Sequence, residues 1–325
     1  MKIAIHGYGN LGRGVEAAVH QNQDATLVGI FTRRAPDSVR SVTDAPVYSA
    51  TSLINFKGKI DVVVICGGSV TDLPVITPLL ARDFTVVDSF DTHAKIPGHF
   101  ERVDRASREG GNIAVISSGW DPGLFSIARL YSSAVLPKGR EYTFWGKGIS
   151  QGHSDAIRRI EGVIDARQYT IPSDDAIARV RRGENPTLTQ REKHRRECYV
   201  VAEKDSDKPR IEEAVKNMPN YFADYDTAVT FVSLDELLRD HSSMPHGGSV
   251  IRSGVTGVDE KSHHTVEFSL RLGSNPEFTG SMLLATARAA YRMKCEGQVG
   301  CKTLFDIPPA YLSIASPDEI RARFL

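Results

Sequence analysis

The segment Lys2-Ile3-Ala4-Ile5-His6-Gly7-Tyr8-Gly9-Asn10-Leu11-Gly12 opens the chain as a short β-branched strand running into G-x-G-x-x-G. Each glycine in that pattern has a physical task. Gly7 permits a tight strand-to-helix turn, Gly9 lets main chain approach a pyrophosphate, and Gly12 lets the helix over residues 10–20 pack close to the sheet. The N-terminus of that helix then faces the phosphate charge. A glycine fingerprint alone is a weak signal. Here a strand precedes it, a helix follows, and a second strand comes next at residues 27–32, which is the context a dinucleotide site requires.

The second strand ends in Thr32-Arg33-Arg34, with no acid before Asp37. A site for NAD usually places Asp or Glu there, on the ribose 2′-hydroxyl. Two guanidiniums instead offer planar forks of donors that suit a phosphate, so this reading favours a 2′-phosphate and NADP(H). The plainer alternative is a solvated basic loop.

Outward from this segment, further strands read at residues 61–66, 85–89 and 112–117, with helices at 71–81 and 98–108 between them. Such alternation specifies a parallel sheet with helices on both faces. The run Val62-Val63-Val64-Ile65 is apolar at consecutive positions, as in a strand buried on both sides. The expected fold is therefore α/β. A Rossmann-type doubly wound domain covers residues 1–118, and a mixed α+β domain with an open, mostly antiparallel sheet covers 119–296. The segment from about 297 to 325 packs back on the first. In the second domain a helix reads at 122–136, strands at 142–145, 163–171, 198–202, 227–233, 249–253 and 265–272, and a long helix at 277–294 opened by Asn275-Pro276.

Composition excludes several classes. The formal net charge is zero, so neither a nucleic-acid stripe nor a polybasic membrane anchor is expected. No apolar run approaches the roughly 20 residues that span a bilayer. A strand begins almost at once, which argues against a signal peptide. The four cysteines show no C-x-x-C and no metal-ligand spacing, so they read as reduced thiols of a cytoplasmic protein, with no metal expected.

Ligands of open α/β sheets bind beyond the carboxyl ends of the strands. Three loops join the glycine loop there: Cys66-Gly67-Gly68-Ser69, Ser89-Phe90-Asp91, and Ser118-Gly119-Trp120-Asp121-Pro122-Gly123. Asp91 and Asp121 are carboxylates on that rim. Asp121 also reads as a helix N-cap with Pro122 at the first helical position, a role compatible with substrate contact. In the second domain the run from Phe144 to Asp155 combines a strand end, glycines and polar side chains; it reads as a backbone-lined pocket or as a loop feeding a helix capped by Ser154 or Asp155. The basic run from Arg191 to Arg196 reads as a solvated face, one member of which could clamp a carboxylate.

Taken together, HGYGNLGRGVE, FTRRAPDS, VDSFDTH, SSGWDPGLFSI, TFWGKGISQGHSDAIRRI and MPHGG resemble the meso-diaminopimelate dehydrogenase family, in the same order from residue 3 to about residue 296. The resemblance implies a homodimeric NADP-dependent enzyme of lysine and peptidoglycan precursor biosynthesis. Such an enzyme deaminates the D-centre of meso-2,6-diaminopimelate to L-2-amino-6-oxopimelate, which cyclises to tetrahydrodipicolinate, with ammonia and NADPH as the other products. It further implies that residues 119–296 bind substrate and form the dimer. Tyr8, Gly9, Asn10 and Leu11 would meet the pyrophosphate within the loop from Gly7 to Gly12, and Thr32, Arg33 and Arg34 the 2′-phosphate. Cys66, Gly67, Gly68, Ser69, Ser89, Phe90, Asp91, Ser118, Gly119, Trp120, Asp121 and Pro122 would line the rest of the cofactor groove. Substrate contacts would fall on Asp91, Asp121, Trp145, Gln151, Gly152, Thr170, Arg196, His246 and Asn275, with Asp91 or Asp121 handling the proton of the reacting amine. The chain departs from the family where it reads CGGS rather than C-M-G-S, and over a longer segment between Thr256 and His264. A D-amino-acid dehydrogenase of broader scope and a non-catalytic NADPH-binding sensor are the alternatives. A dihydrodipicolinate reductase is excluded because His263-His264 lead straight into Thr265-Val266.

Overall fold

The computed structural model describes all 325 residues, which form one compact unit of Met1–Ile127 with Pro276–Leu325 and a second of Ala128–Asn275. In the first unit lie β1 (Lys2–His6), β2 (Thr26–Thr32), β3 (Val47–Ser49), β4 (Val62–Ile65), β5 (Val86–Asp88) and β6 (Ile113–Val115). They form one sheet in the order β3-β2-β1-β4-β5-β6, with Gly300–Lys302 as a seventh strand beside β6, and every pairing is parallel. All four residues of β4 are buried, as helical cover on both faces demands. The strand order reverses between β1 and β4, which places the ligand crevice of a doubly wound sheet at the carboxyl ends of these two strands. β3 and Gly300–Lys302 were not expected. Each has three residues, too few to display a period.

The long helix Asn275–Cys295 begins at the expected Asn-Pro signal, but from Pro276 onward it belongs to the first unit, which corrects its expected place within 119–296. The reason is its apolar face. Leu283, Leu284, Ala287, Ala289, Ala290 and Met293 share a core with Ile3, Ile5, Val15 and Ile113. Arg288 pairs with Asp24 at 2.5 Å and donates to the Leu312 carbonyl at 2.8 Å, so the tail is tied to the same unit.

The second unit carries β7 (Gly139–Trp145), β8 (Gly148–Ile149), β9 (Val163–Pro172), β10 (His194–Ala202), β11 (Asp226–Phe231), β12 (His246–Thr256) and β13 (Ser262–Leu272). The single open sheet expected from the sequence is in fact two. One is four-stranded, β11-β10-β9-β8, and the other is the antiparallel three-stranded β13-β12-β7. β10 and β11 run parallel because the helix Lys208–Lys216 lies between them in the chain and provides a crossover. That helix and Gln151–Arg158 cover one face of β9 and β10, burying Ile157, Ala166, Val200, Ile211, Val215 and Phe222. No helix is long and apolar enough to cross a membrane.

Candidate active site

At the mouth of the first unit's sheet, Gly7 adopts φ +92°, a conformation side chains disfavour, and turns β1 into the helix Asn10–His20. A Cβ at Gly12 would sit 2.5 Å from the Gly7 carbonyl oxygen, whereas a Cβ at Gly9 would meet nothing within 4 Å. Gly12 therefore packs the turn, and Gly9 leaves its outer side open. Gly9 is the helix N-cap and supplies no side-chain cap, and the positive end of the helix, which favours an anion, begins at this turn.

A cavity of ≈ 240 Å³ opens beside this turn. Its walls come from Gly7, Tyr8 and Gly9, from Thr32, Arg33 and Arg34, and from Cys66 and Gly67, all expected from the sequence, together with His6, Asp72 and Ile76, which were not. Arg34 is steered by its own main chain donating to Thr32 Oγ1 at 3.2 Å and by a guanidinium bond to the Tyr8 carbonyl. Arg33 pairs with Asp72 at 2.9 Å, and Asp72 also accepts from Gly68 N at 2.9 Å, so one carboxylate links the loops after β2 and β4. Burial, then the Arg33 charge, hold the His6 pKa below its usual value. Burial alone raises the Cys66 thiol far enough to keep it un-ionised.

Beneath the loop, the Tyr8 hydroxyl donates to the buried Glu16, which also accepts from Val42 N, Thr43 N and Thr43 Oγ1 at 3.1, 2.8 and 2.6 Å. Burial and the Glu16 hydrogen bond push Tyr8 up to about 12. Burial by itself would raise Glu16, but the bonds from Thr43 and Tyr8 outweigh it and hold the carboxyl below its usual range.

The rim loops meet as expected in part. Asp91 N donates to Ser69 Oγ at 2.8 Å, which joins the loops after β4 and β5, and the Asp91 side chain is exposed. Phe90 and Ser118, expected to line the groove, turn their side chains inward. The Phe90 ring is buried and stacks on His99 at 4.2 Å, and Ser118 Oγ shares a 2.6 Å hydrogen bond with Thr286. Only their main chains remain for the rim. Asp121 is not the N-cap of the next helix, and Pro122 is not its first residue. The helix spans Leu124–Val135 and is preceded by a turn bridged between Trp120 and Gly123, with Leu124 N and Phe125 N donating to the carbonyls of Gly119 and Trp120. Asp88, buried at the end of β5, accepts from Thr77, His99, Phe90 N and Ser117 N. The sequence did not single it out.

In the second unit the loop Gly146-Lys147-Gly148 connects the two sheets, since β7 belongs to one and β8 to the other. Around it gather Trp145, Thr170, Arg196 and His246. Gly148 pairs with Thr170, Thr170 with Arg196, and a Cβ on Gly148 would lie 2.5 Å from His246 Cα. Arg196 is far from the solvated residue expected of a basic run. It is buried, donates to Thr170 Oγ1, lies 3.9 Å over the Tyr225 ring, and has no partner for Nε. Alternation on β10 explains the difference, because Arg195 faces water while His194, Arg196 and Cys198 face inward. Gln151 Nε2 and Asn275 N both reach Met244, at its sulfur and its carbonyl respectively, which brings these ends together. The helix Gln151–Arg158 is capped by Ser150, whose Oγ accepts from His153 N, not by Ser154 or Asp155. Ser154 lies inside the helix and binds Gln168 N at 3.0 Å. Gly152 is exposed on that helix, with open space beside it. His194 was missed. It takes the Trp145 amide on Nε2 at 2.8 Å and stacks on the Trp145 ring. No cluster of His, Cys, Asp and Glu is placed to hold a metal ion.

The first unit thus offers an anion cradle with two guanidiniums, and the second a buried guanidinium among hydroxyl, imidazole and indole groups. A family model described as Diaminopimelic acid dehydrogenase C-terminal domain matches residues 119–274. The meso-diaminopimelate D-dehydrogenase of Acetivibrio thermocellus is 57% identical over 326 residues, covering 100% of this chain and 98% of its own. The crystal structure of the Corynebacterium glutamicum DAP dehydrogenase in complex with DAP superposes with a TM-score of 0.94 at 45% identity, covering 100% of this chain and 99% of that one. An engineered D-amino acid dehydrogenase bound to NADP⁺ gives a TM-score of 0.90 at 43% identity, again covering 100% and 99%. By full-length identity and by shared architecture in both units, this chain belongs to the meso-diaminopimelate D-dehydrogenase family.

Proposed function

We propose that the chain catalyses the NADP-dependent oxidative deamination of meso-2,6-diaminopimelate at its D-centre, reversible by reductive amination, in lysine and peptidoglycan precursor biosynthesis. The observation that carries this reading is Arg196, a buried cation with an unpartnered Nε, set beside Thr170 in a chain of this family. A buried charge of this kind is costly unless a ligand pairs with it, and a substrate carboxylate supplies the planar partner its fork accepts. His246 and the amides near Gln151 are the donors for the second carboxylate. Asp91, Asp121 and Asn275 are acceptors for the two ammonium groups.

The residues of the first unit fit NADP(H): the open side of Gly9, the uncapped helix N-terminus, and Arg33 and Arg34 on one cavity wall suit pyrophosphate and 2′-phosphate. When bound, NADP⁺ is the oxidant of the amine centre. The protein orients that centre through contacts to the distal L-end, where remote binding contributes to rate. Asp91 or Asp121 takes the proton that the amine must lose first. Water then hydrolyses the resulting imine to the ketone and ammonia. Exposed Val266 and Phe268 on the edge strand β13 support a homodimer, and the thiol pattern supports a cytoplasmic location.

The test is NADP⁺ reduction with meso-diaminopimelate, its L,L isomer and simple D-amino acids. Turnover of the meso isomer alone is expected. Comparable rates with simple D-amino acids would establish the broader scope, and no turnover would overturn the enzyme reading.

A further inference from the structure

Asp88 is the last residue of β5 and is fully buried, yet it bears a carboxylate. One oxygen accepts Phe90 N and Ser117 N, each at 3.0 Å. The other accepts Thr77 Oγ1 at 2.8 Å and His99 Nε2 at 2.9 Å. Its carbonyl takes Ser118 N at 2.9 Å. One residue therefore ties together the two helices that carry Thr77 and His99 and the starts of both rim loops. Phe90 stands directly before Asp91, and Ser117 opens the loop that reaches Asp121. Ser117 sits at φ +54°, a backbone conformation that a side-chain-bearing residue adopts only when its surroundings hold it there. His99 adds a second restraint, since its ring stacks on Phe90 at 4.2 Å with an interplanar angle of 25°. Four donors are what a buried carboxylate needs, so the Asp88 carboxylate is satisfied within the protein and is not left to meet a ligand.

We propose that Asp88, held by His99 and Thr77, is a positioning residue for the reaction: it sets the main chain from which Asp91 and Asp121 project. The inference rests on the reading that these two carboxylates act at the substrate. Its physical content is geometric. Displacing a reacting group by an ångström costs on the order of a hundredfold in rate, and both loops take their register from one carboxylate oxygen. Charge is not the requirement. In Asp88→Asn the amide oxygen can still accept both main-chain amides, and its NH₂ can donate to Thr77 Oγ1 and to His99 Nε2 once the imidazole proton resides on Nδ1, an atom that has no partner now.

The experiment compares His99→Phe, which keeps the ring against Phe90 and deletes one bond to Asp88, with Asp88→Asn, Thr77→Val and, alongside, Asp91→Asn and Asp121→Asn. Each is measured for kcat and KM with meso-diaminopimelate, for NADP⁺ affinity by fluorescence titration, and for melting temperature. His99→Phe is expected to lower kcat by roughly tenfold or more, with NADP⁺ affinity held within about threefold, because the glycine cradle is anchored separately by Glu16. Thr77→Val should shift kcat in the same direction by less, and Asp88→Asn should retain most of the turnover. Folded His99→Phe and Thr77→Val enzymes with wild-type kcat and only a lowered melting temperature would make the cluster purely structural and overturn the proposal. So would an Asp88→Asn enzyme that binds NADP⁺ normally but has lost turnover, which would assign the role to charge. If Asp121→Asn and Asp91→Asn turn over normally, the underlying reading of the rim fails. If they lose turnover while His99→Phe keeps it, only the positioning role fails.

Discussion

His194 and Trp145 are joined twice: the Trp145 amide donates to His194 Nε2 at 2.8 Å, and the two rings stack with centroids 5.4 Å apart. The contact requires a neutral imidazole, since a protonated ring has no lone pair to accept with. Burial, then the charges of Arg196 and Lys193, pull the His194 pKa down to about 3, so the requirement is met at working pH.

That depressed pKa has a consequence for stability. The unfolded chain takes up a proton near pH 6.5 while folded His194 refuses it until about pH 3, so stability is fully present above 6.5 and is lost as pH falls between those values. His153, lowered to about 4 by burial and then by Arg196 and His246, acts in the same direction. Each should contribute up to about 1.4 kcal/mol per pH unit within its window. In His194→Gln, which keeps an acceptor without the titration, urea melts between pH 6.5 and 4 should show a shallower loss of stability than wild type. Parallel curves would contradict the assignment.

Tyr8→Phe removes the hydroxyl that donates to buried Glu16 and leaves that carboxylate to Val42 and Thr43 alone. A cost of about 1–2 kcal/mol is expected in denaturant unfolding at neutral pH. NADP⁺ affinity should also weaken, because Glu16 ties the glycine loop to the segment after β2. Unchanged stability would show that Tyr8 is held by packing alone.

Gly280→Ala tests the placement of the long helix. A Cβ there would lie 2.4 Å from the carbonyl carbon of Gly14, which is main chain and cannot swing away. Overpacking of a core costs about 1–3 kcal/mol, and the rigid neighbour places this case at the upper end. A melting temperature equal to wild type would mean that the two helices do not cross at these glycines.

Gly67→Ala probes the loop after β4, where Gly67 lines the cavity beside the glycine turn. The new Cβ would stand 2.8 Å from Asp72 Cβ and so disturb a carboxylate that serves both Arg33 and Gly68 N. Weaker NADP⁺ binding is expected, with a loss of about 1–3 kcal/mol in stability. Affinity and stability both at wild-type level would show that Asp72 moves aside freely.

Much of the first unit was legible in the chain itself. A buried parallel strand such as β4 announces itself by four apolar residues in succession, and the glycine turn by its spacing, because local sterics dictate both. For the same reason Arg33 and Arg34 could be placed on the cavity wall before any fold was known: they follow β2 directly. The rim was legible only to the level of the loop. Whether Phe90 and Ser118 face the groove or the core depends on His99 and Thr286, which lie 9 and 168 residues away in the chain, and no local pattern carries that information.

The sequence by itself determined the parallel sheet, the phosphate loop, the two basic residues beside it and, through its distinctive blocks, the family. Tertiary structure alone decided the rest. It split the second unit's strands into two sheets that part between β7 and β8 at Gly146-Lys147, and it made β10 and β11 parallel through a helical crossover. It returned the helix from Pro276 to the first unit, because that helix's apolar face fits the core under β1. It buried Arg196 and His194, because strand alternation chooses a face only once the opposing layer is in place. Spacing along the chain governs turns and periods; burial and partnership are properties of contacts between distant segments, and only the folded chain specifies them.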